Sequence, residues 1–301
     1  MAFLEGDDKV LDFLVTGVTL LVIGCLVGLL ALEIQALTDA EISQFSSTGV
    51  TEANTNLQGS VSVTKSGDTL TLVSNNIPDH PTGSFPNTDN PNTISAQSYT
   101  YMIPNNPSFA STPTCLPEGP IGFTLNGVAF YSAMTGFGTN AGHCEVFDEC
   151  DAHASPDGAY HYHRTMSCQS NTSISNQFLG VAMDGYALYG PRLSNGTMIT
   201  NAELDDCHGT TIDGSYRYYL TETYPYMLGC FKGSLIDSTL TQAQASPNCA
   251  LASDLTDTTD CTADQGQGPC PPGRRCSAPG VSSMKLISLL VICFIIVGLL
   301  F

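Results

Sequence analysis

Tryptophan is absent from the 301 residues, and cations are scarce: nine Lys plus Arg stand against 28 Asp plus Glu, for a formal charge of -19. A chain with so few cations cannot neutralise a phosphate backbone, which excludes nucleic acid as a partner and leaves divalent cations or basic surfaces as the complementary chemistry. No two cysteines have Cys-x-x-Cys spacing, so the common thiolate zinc motifs are missing. The Gly-x-Ser-x-Gly elbow is missing too, and with it the support for Ser-His-Asp hydrolysis. No long window carries a helical period, which points to a β architecture.

What is present first concerns location. Residues 13–32 form an apolar run without a charge, long enough to span a bilayer, and residues 286–301 form a second one. The first is expected to be a signal peptide or signal-anchor within residues 1–36. Its acidic flank, Glu5, Asp7 and Asp8, is unusual for a cleaved signal. The second follows small residues, Ser277, Ala278 and Gly280, and a short polar spacer. That order predicts a GPI-attachment signal over 281–301, with a C-terminal transmembrane anchor as the alternative. Both place the intervening chain at the cell surface, with the membrane as a partner and a protein or glycan partner undefined.

Ten of the 12 cysteines lie between those runs, an even number that predicts a disulfide framework of up to five bridges. Two sequons, at Asn171 and Asn195, predict glycosylated surface loops.

The fold class expected is mainly β: a disulfide-bonded antiparallel ectodomain of short hairpins. Residues 37–75 read as a Ser/Thr/Asn-rich lead-in ending in a hairpin, in which Val61 and Val63 face Leu70 and Leu72 around Ser66-Gly67-Asp68. Phe123 and Leu125, then Val128 and Phe130, flank Asn126-Gly127 and predict a type I′ hairpin. Val181 and Met183, then Tyr186 and Leu188, flank Asp184-Gly185 as a third. Residues 236–280 read as a Cys-rich membrane-proximal segment.

The stretch "DAHASPDGAYHYHR", residues 151–164, holds three of the six histidines. On a strand, His161 and His163 face one way and Tyr160 and Tyr162 the other. Pro156-Asp157-Gly158 suits a three-residue loop that sets His153 opposite His161 and Asp151 opposite His163. Three imidazoles and a carboxylate on one face can hold zinc or copper. The competing reading is a hydrogen-bonded core without metal, in a structural or interaction ectodomain. His143 and His208, each beside a cysteine, His80 between two prolines, and Asp184 are further candidate ligands. A metal-dependent hydrolase or oxidase would need a general base, for which Asp148, Glu149, Asp184 and Asp205 are available. A calcium site built on Asp148, Glu149, Asp151 and Asp157 lacks EF-hand spacing.

"YHYH", with "IPDHPTGSFPN" and "PIGFTLNGVAFYS" upstream and "LGVAMDGYALYGP", "LDDCHGTTIDGSYRY" and "YPYMLGCFKG" downstream, resembles the YHYH-domain family over about residues 76–235. The resemblance implies a secreted or surface domain and no defined activity. Family members often carry Gly before the histidine matching His153, where this chain has Asp151-Ala152.

Overall fold

The computed structural model describes residues 37–46, 49–243 and Cys261. The two terminal apolar runs, and with them the anchoring expectations, lie outside the described residues. Among the described residues no helix is long and apolar enough to cross a membrane.

The architecture is mainly β. Strands β1 (Val61–Ser66), β2 (Thr69–Ser74) and β3 (Tyr99–Pro104) form an antiparallel sheet. The two-residue Gly67-Asp68 loop closes the β1–β2 hairpin as expected, pairing Ser66 with Thr69. Alternation decides which face is buried. Leu70, Leu72 and Ile103 are fully buried, while Thr64 and Thr100 face solvent. On the inner face Tyr99 and Tyr101 lie against Phe123, at centroid distances of 5.7 and 5.6 Å.

Phe123 belongs to a larger sheet made of β5 (Gly122–Thr124), β6 (Ala129–Phe130), β7 (Ala152–Ala154), β8 (Tyr160–Tyr162), β9 (Phe178–Ala182), β10 (Ala187–Tyr189), β11 (Gly209–Ile212) and β12 (Ser215–Tyr219). Their spatial order is β11-β12-β10-β9-β5-β6-β8-β7. Two of its pairs, β6 with β8 and β10 with β12, are parallel, so the sheet is mixed rather than wholly antiparallel. Its central strands β5 and β9 are buried along their whole length, as strands covered on both faces must be. Strands β4 (Phe109–Thr114) and β13 (Phe231–Gly233) form a separate pair. Among the described residues the α-helices are short, α1 (Asp39–Ile42), α2 (Ala141–Cys144) and α3 (Ser238–Ala243), with one 3-10 turn at Asn201–Glu203.

The turn at Asn126-Gly127 differs from the type I′ expectation. Thr124 N–H donates to Val128 O at 2.9 Å, so the loop has three residues, and only Gly127 has a positive φ, of 85°. A type I′ turn needs positive φ at both central positions. Asn126 instead uses its side chain: Oδ1 accepts from Thr124 Oγ1 and Val128 N–H, and Nδ2 donates to Asp79. The Asp184-Gly185 hairpin forms as expected, with Gly185 at φ 90°.

Strand β6 has only two residues, and a side chain completes its pairing with β8. Asn76, at φ 60°, accepts from Ala129 N–H at 2.8 Å and donates to Tyr160 O at 2.7 Å. The amide thereby serves as one more peptide group in the ladder, meeting two backbone groups that burial would otherwise leave unpaired. Disulfides join Cys144 to Cys261, Cys150 to Cys168 and Cys207 to Cys230, and Cys115 is disulfide-bonded as well.

Candidate metal centre

The hairpin β7–β8 carries the site. Ser155 N–H donates to Ala159 O at 3.0 Å and Gly158 N–H to Ser155 O at 2.9 Å, with Gly158 at φ 86°. Pro156-Asp157-Gly158 is therefore a three-residue loop, and His153 pairs with His161. On the other side of β8, Ala129 pairs with His161 and Phe130 with Tyr162. Ala152 and Ala154 of β7 stand opposite Tyr162 and Tyr160, so small residues make room for the two rings. The paired residues of β6, β7 and β8 are buried, and β8 separates an imidazole face from a phenol face.

On the imidazole face three ring nitrogens converge. His153 Nε2 lies 3.1 Å from His161 Nε2, which lies 2.9 Å from His163 Nε2. The opposite nitrogens determine the tautomers. His161 Nδ1 is 3.0 Å from Ala159 O and His163 Nδ1 is 2.6 Å from Ser132 O. A carbonyl only accepts, so each Nδ1 carries the hydrogen and each Nε2 presents a lone pair. Two lone pairs held 2.9 Å apart repel each other unless a cation lies between them.

Glu145 supplies the matching charge. Helix α2 ends there, with Glu145 N–H donating to Ala141 O and the chain turning to extended backbone at φ -110°. Its Oε2 lies 3.1 Å from His153 Nε2 and 3.2 Å from His163 Nε2. The side chain is 23% exposed, yet Oε2 itself is shielded from solvent and makes no well-directed hydrogen bond. A buried carboxylate oxygen without such a partner, facing imidazole nitrogens, is the donor a cation would satisfy.

Electrostatics agree with the geometry. Burial, reinforced by His153 and His163, holds His161 well below the usual imidazole pKa. His163 is lowered by burial, against the opposing pull of Glu145. For Glu145, burial works to raise the pKa, but His163 and His153 outweigh it and leave the carboxyl below the ordinary range. Burial thus favours the neutral imidazole at His161 and His163, and the ionised form is favoured at Glu145, the protonation states that ligate metal. Aromatic rings wall the cluster: Tyr131 stacks on His161 at 3.8 Å, and Phe147 lies 5.0 Å from His153.

The remaining candidates go elsewhere. Asp151 does not oppose His163: it has φ 62°, β7 begins after it, and its carboxylate pairs with Arg164 and accepts from Ser167. Asp148 lies on the phenol face, accepting from Tyr160 OH and Gly83 N–H. Asp157 caps the hairpin loop and Glu149 is exposed, so the four acids of the calcium alternative do not converge. Asp184 is fully buried and accepts from Tyr218 OH and Gly233 N–H; burial raises its pKa to about 6 despite those bonds. Asp205 caps the turn before β11 and pairs with Lys232. His208 bonds Met227 O and Thr221 Oγ1, and His143 sits in α2 outside the convergent group. His80 lies on the phenol face, with Nε2 2.6 Å from Tyr162 OH.

Among the described residues, two groups bring three such ligand atoms within 4.8 Å: His153, His161 and His163, and separately His80, Cys150 and Cys168. The sulfurs of the second group are bonded to each other, and a disulfide is not a thiolate ligand. Residues 100–200 match the family model described as YHYH protein. No curated protein and no solved structure matches the chain.

Proposed function

We propose that this chain, a YHYH-domain protein over residues 100–200, binds one divalent transition metal, zinc or copper, through His153, His161 and His163, with Glu145 as a fourth ligand. The observation that carries the reading is the convergence of three Nε2 atoms, two of which, on His161 and His163, have their tautomers fixed from behind by backbone carbonyls. The spacing suits a metal. With metal–nitrogen bonds of about 2.0–2.1 Å, neighbouring ligand atoms stand roughly 2.9 Å apart at right angles and about 3.3 Å apart in a tetrahedron. The four separations found, 2.9, 3.1, 3.1 and 3.2 Å, lie in that interval. Three imidazoles and a carboxylate suit zinc or copper better than calcium or magnesium, which prefer all-oxygen shells.

Four protein ligands favour a structural or binding centre over hydrolysis, because a catalytic ion keeps a position open. The ion would tie β7 and β8 to the segment that follows α2. We place the domain on the extracellular side, anchored by one or both terminal apolar runs. The disulfides support that placement, since they persist in oxidising compartments.

Metal analysis of the purified full chain, beside a His161→Ala/His163→Ala double variant, tests the reading. One equivalent of zinc or copper in the parent and none in the variant is expected. A carefully purified parent that takes up neither ion at neutral pH overturns it.

A further inference from the structure

The phenol face of β8 holds the second convergent group, on the opposite side of the strand from the three histidines. His80 Nε2 is 2.6 Å from Tyr162 OH. A carbonyl only accepts, so Nε2 accepts from the Tyr162 hydroxyl and His80 carries its hydrogen on Nδ1, toward Pro81 O. That nitrogen faces Pro81 O at 3.0 Å and Cys150 Sγ at 3.2 Å. Cys150 is buried, and its partner Cys168 is exposed. Among the described residues, the two other bridges with both cysteines placed are better shielded: Cys207 and Cys230 are 1% and 3% exposed, and Cys144 and Cys261 are half-buried.

We propose that His80, Cys150 and Cys168 form a redox-gated second metal site, closed while the disulfide stands and able, once a dithiol reductant opens it, to hold a thiophilic ion such as Zn²⁺ or Cu⁺. The chemistry follows from which sulfur is accessible. A thiolate of the reductant attacks Cys168, the sulfur–sulfur bond breaks, and the electron pair leaves on Cys150 beside the His80 N–H, which stabilises it. The second thiol of the reductant then displaces Cys168 from the mixed disulfide. The protein has gained two electrons and two protons, and the dithiol has become a disulfide. Metal binding releases the two thiol protons, while the imidazole hydrogen moves from Nδ1 to Nε2, where Tyr162 can accept it. Two thiolates and one imidazole favour soft or borderline ions over calcium or magnesium. The third ligand needs no recruitment, because Tyr162 already holds the ring against Cys150, and Pro81 O gives up its Nδ1 hydrogen bond when the metal takes that nitrogen.

The test treats the full chain with a limiting water-soluble phosphine, maps reduced cysteines by alkylation and peptide mass, and measures zinc per chain before and after reduction. The difference between the two samples reports this site whether or not the three-histidine site is filled. Expected results are that Cys150 and Cys168 are the first pair labelled, that the reduced protein holds one additional zinc, and that zinc shields both cysteines from alkylation. His80→Ala should weaken the additional zinc by more than about a hundredfold, the upper end of what loss of an outer-shell partner costs. His80→Gln, which can still bond Tyr162 but offers no ring nitrogen, should do the same. The proposal is overturned if Cys207 and Cys230 are labelled at the same phosphine dose, if reduction adds no zinc, or if both His80 variants bind it as tightly as the parent.

Discussion

Removing the metal proposed for the three-histidine group should lower the stability of the parent and leave a ligand variant unmoved. An ion that binds the folded chain alone stabilises it by about 2.7 kcal/mol at a free concentration one hundred times its dissociation constant. For a domain of roughly 200 residues each kcal/mol moves the melting temperature by about 2–4 °C, so chelation should lower it by about 5–10 °C. His161→Ala is the matched control because its Nε2 lies within 3.1 Å of both other imidazole nitrogens. The variant has its own cost: the ring is 3% exposed and stacked on Tyr131, so its truncation leaves a cavity expected to cost about 2–4 kcal/mol. The comparison must therefore be the metal-dependent difference within each protein, read by calorimetry with and without a zinc chelator. A shift of 5 °C or more in the parent and less than about 1 °C in the variant is expected. Equal shifts in the two proteins, or none in the parent, would refute the reasoning.

Three other expectations follow from buried groups and from the chain ends. His208 is lowered from 6.5 to about 4, first by burial, so the folded state resists a proton that the unfolded state accepts, and its contribution to stability is lost as pH falls from 6.5 toward 4. Asp184, raised by burial from 3.8 to about 6, acts in the opposite sense and favours the folded state on acidification through the same range. The two offset each other. Urea midpoints across that range should show His208→Asn gaining on the parent as pH falls, by up to about 1.4 kcal/mol per pH unit, and Asp184→Asn losing ground by a similar slope. Flat differences would contradict both assignments. Asn76→Ala strands the Ala129 N–H and the Tyr160 carbonyl, and should cost roughly 2–5 kcal/mol by denaturant titration; a loss under about 1 kcal/mol would mean that the amide does not complete the ladder. If residues 281–301 are a GPI signal, a phosphatidylinositol-specific phospholipase should release the protein from cells, and recovery of a peptide from 286–301 in the mature chain would exclude that anchor.

Local chemistry made the histidine hairpin legible in the sequence. Pro156 and Gly158 fix a three-residue loop, period-two alternation then places His153, His161 and His163 on one face, and both features depend only on neighbours along the chain. Glu145 could not be read in this way. It stands in "AGHCEVFDEC", where His143, Asp148 and Glu149 were equally plausible ligands. Only the turn of α2 and its extended exit decide that Glu145 reaches the imidazoles while Asp148 reaches Tyr160 on the other face. Asp151 was misplaced for a backbone reason. Alternation carried one residue too far predicts that it opposes His163, but its φ of 62° ends the strand and turns the carboxylate to Arg164. The parallel β6–β8 pairing was hidden too, since β6 has two residues and depends on Asn76, which is 53 positions from Ala129.

The tetrad after which the family is named has a physical reading in this chain. A ligand strand must keep its imidazoles neutral, dry and aimed, and neighbours on the same face cannot do all three without competing for the metal. The tyrosines act from the opposite face. Tyr160 is held by Asp148 and Tyr162 by His80, so each end of the strand is tied through a phenol to a segment outside the hairpin. Those ties limit sliding of β8 relative to β7, and a one-residue slip would exchange the two faces of β8 and remove His161 and His163 from the side that holds His153. Tyr162→Phe should therefore loosen the histidine register and reduce metal affinity, although its side chain never approaches the ion, while Ala154→Gly, on the phenol face of the facing strand with no hydroxyl tie to lose, should leave affinity near the parent value.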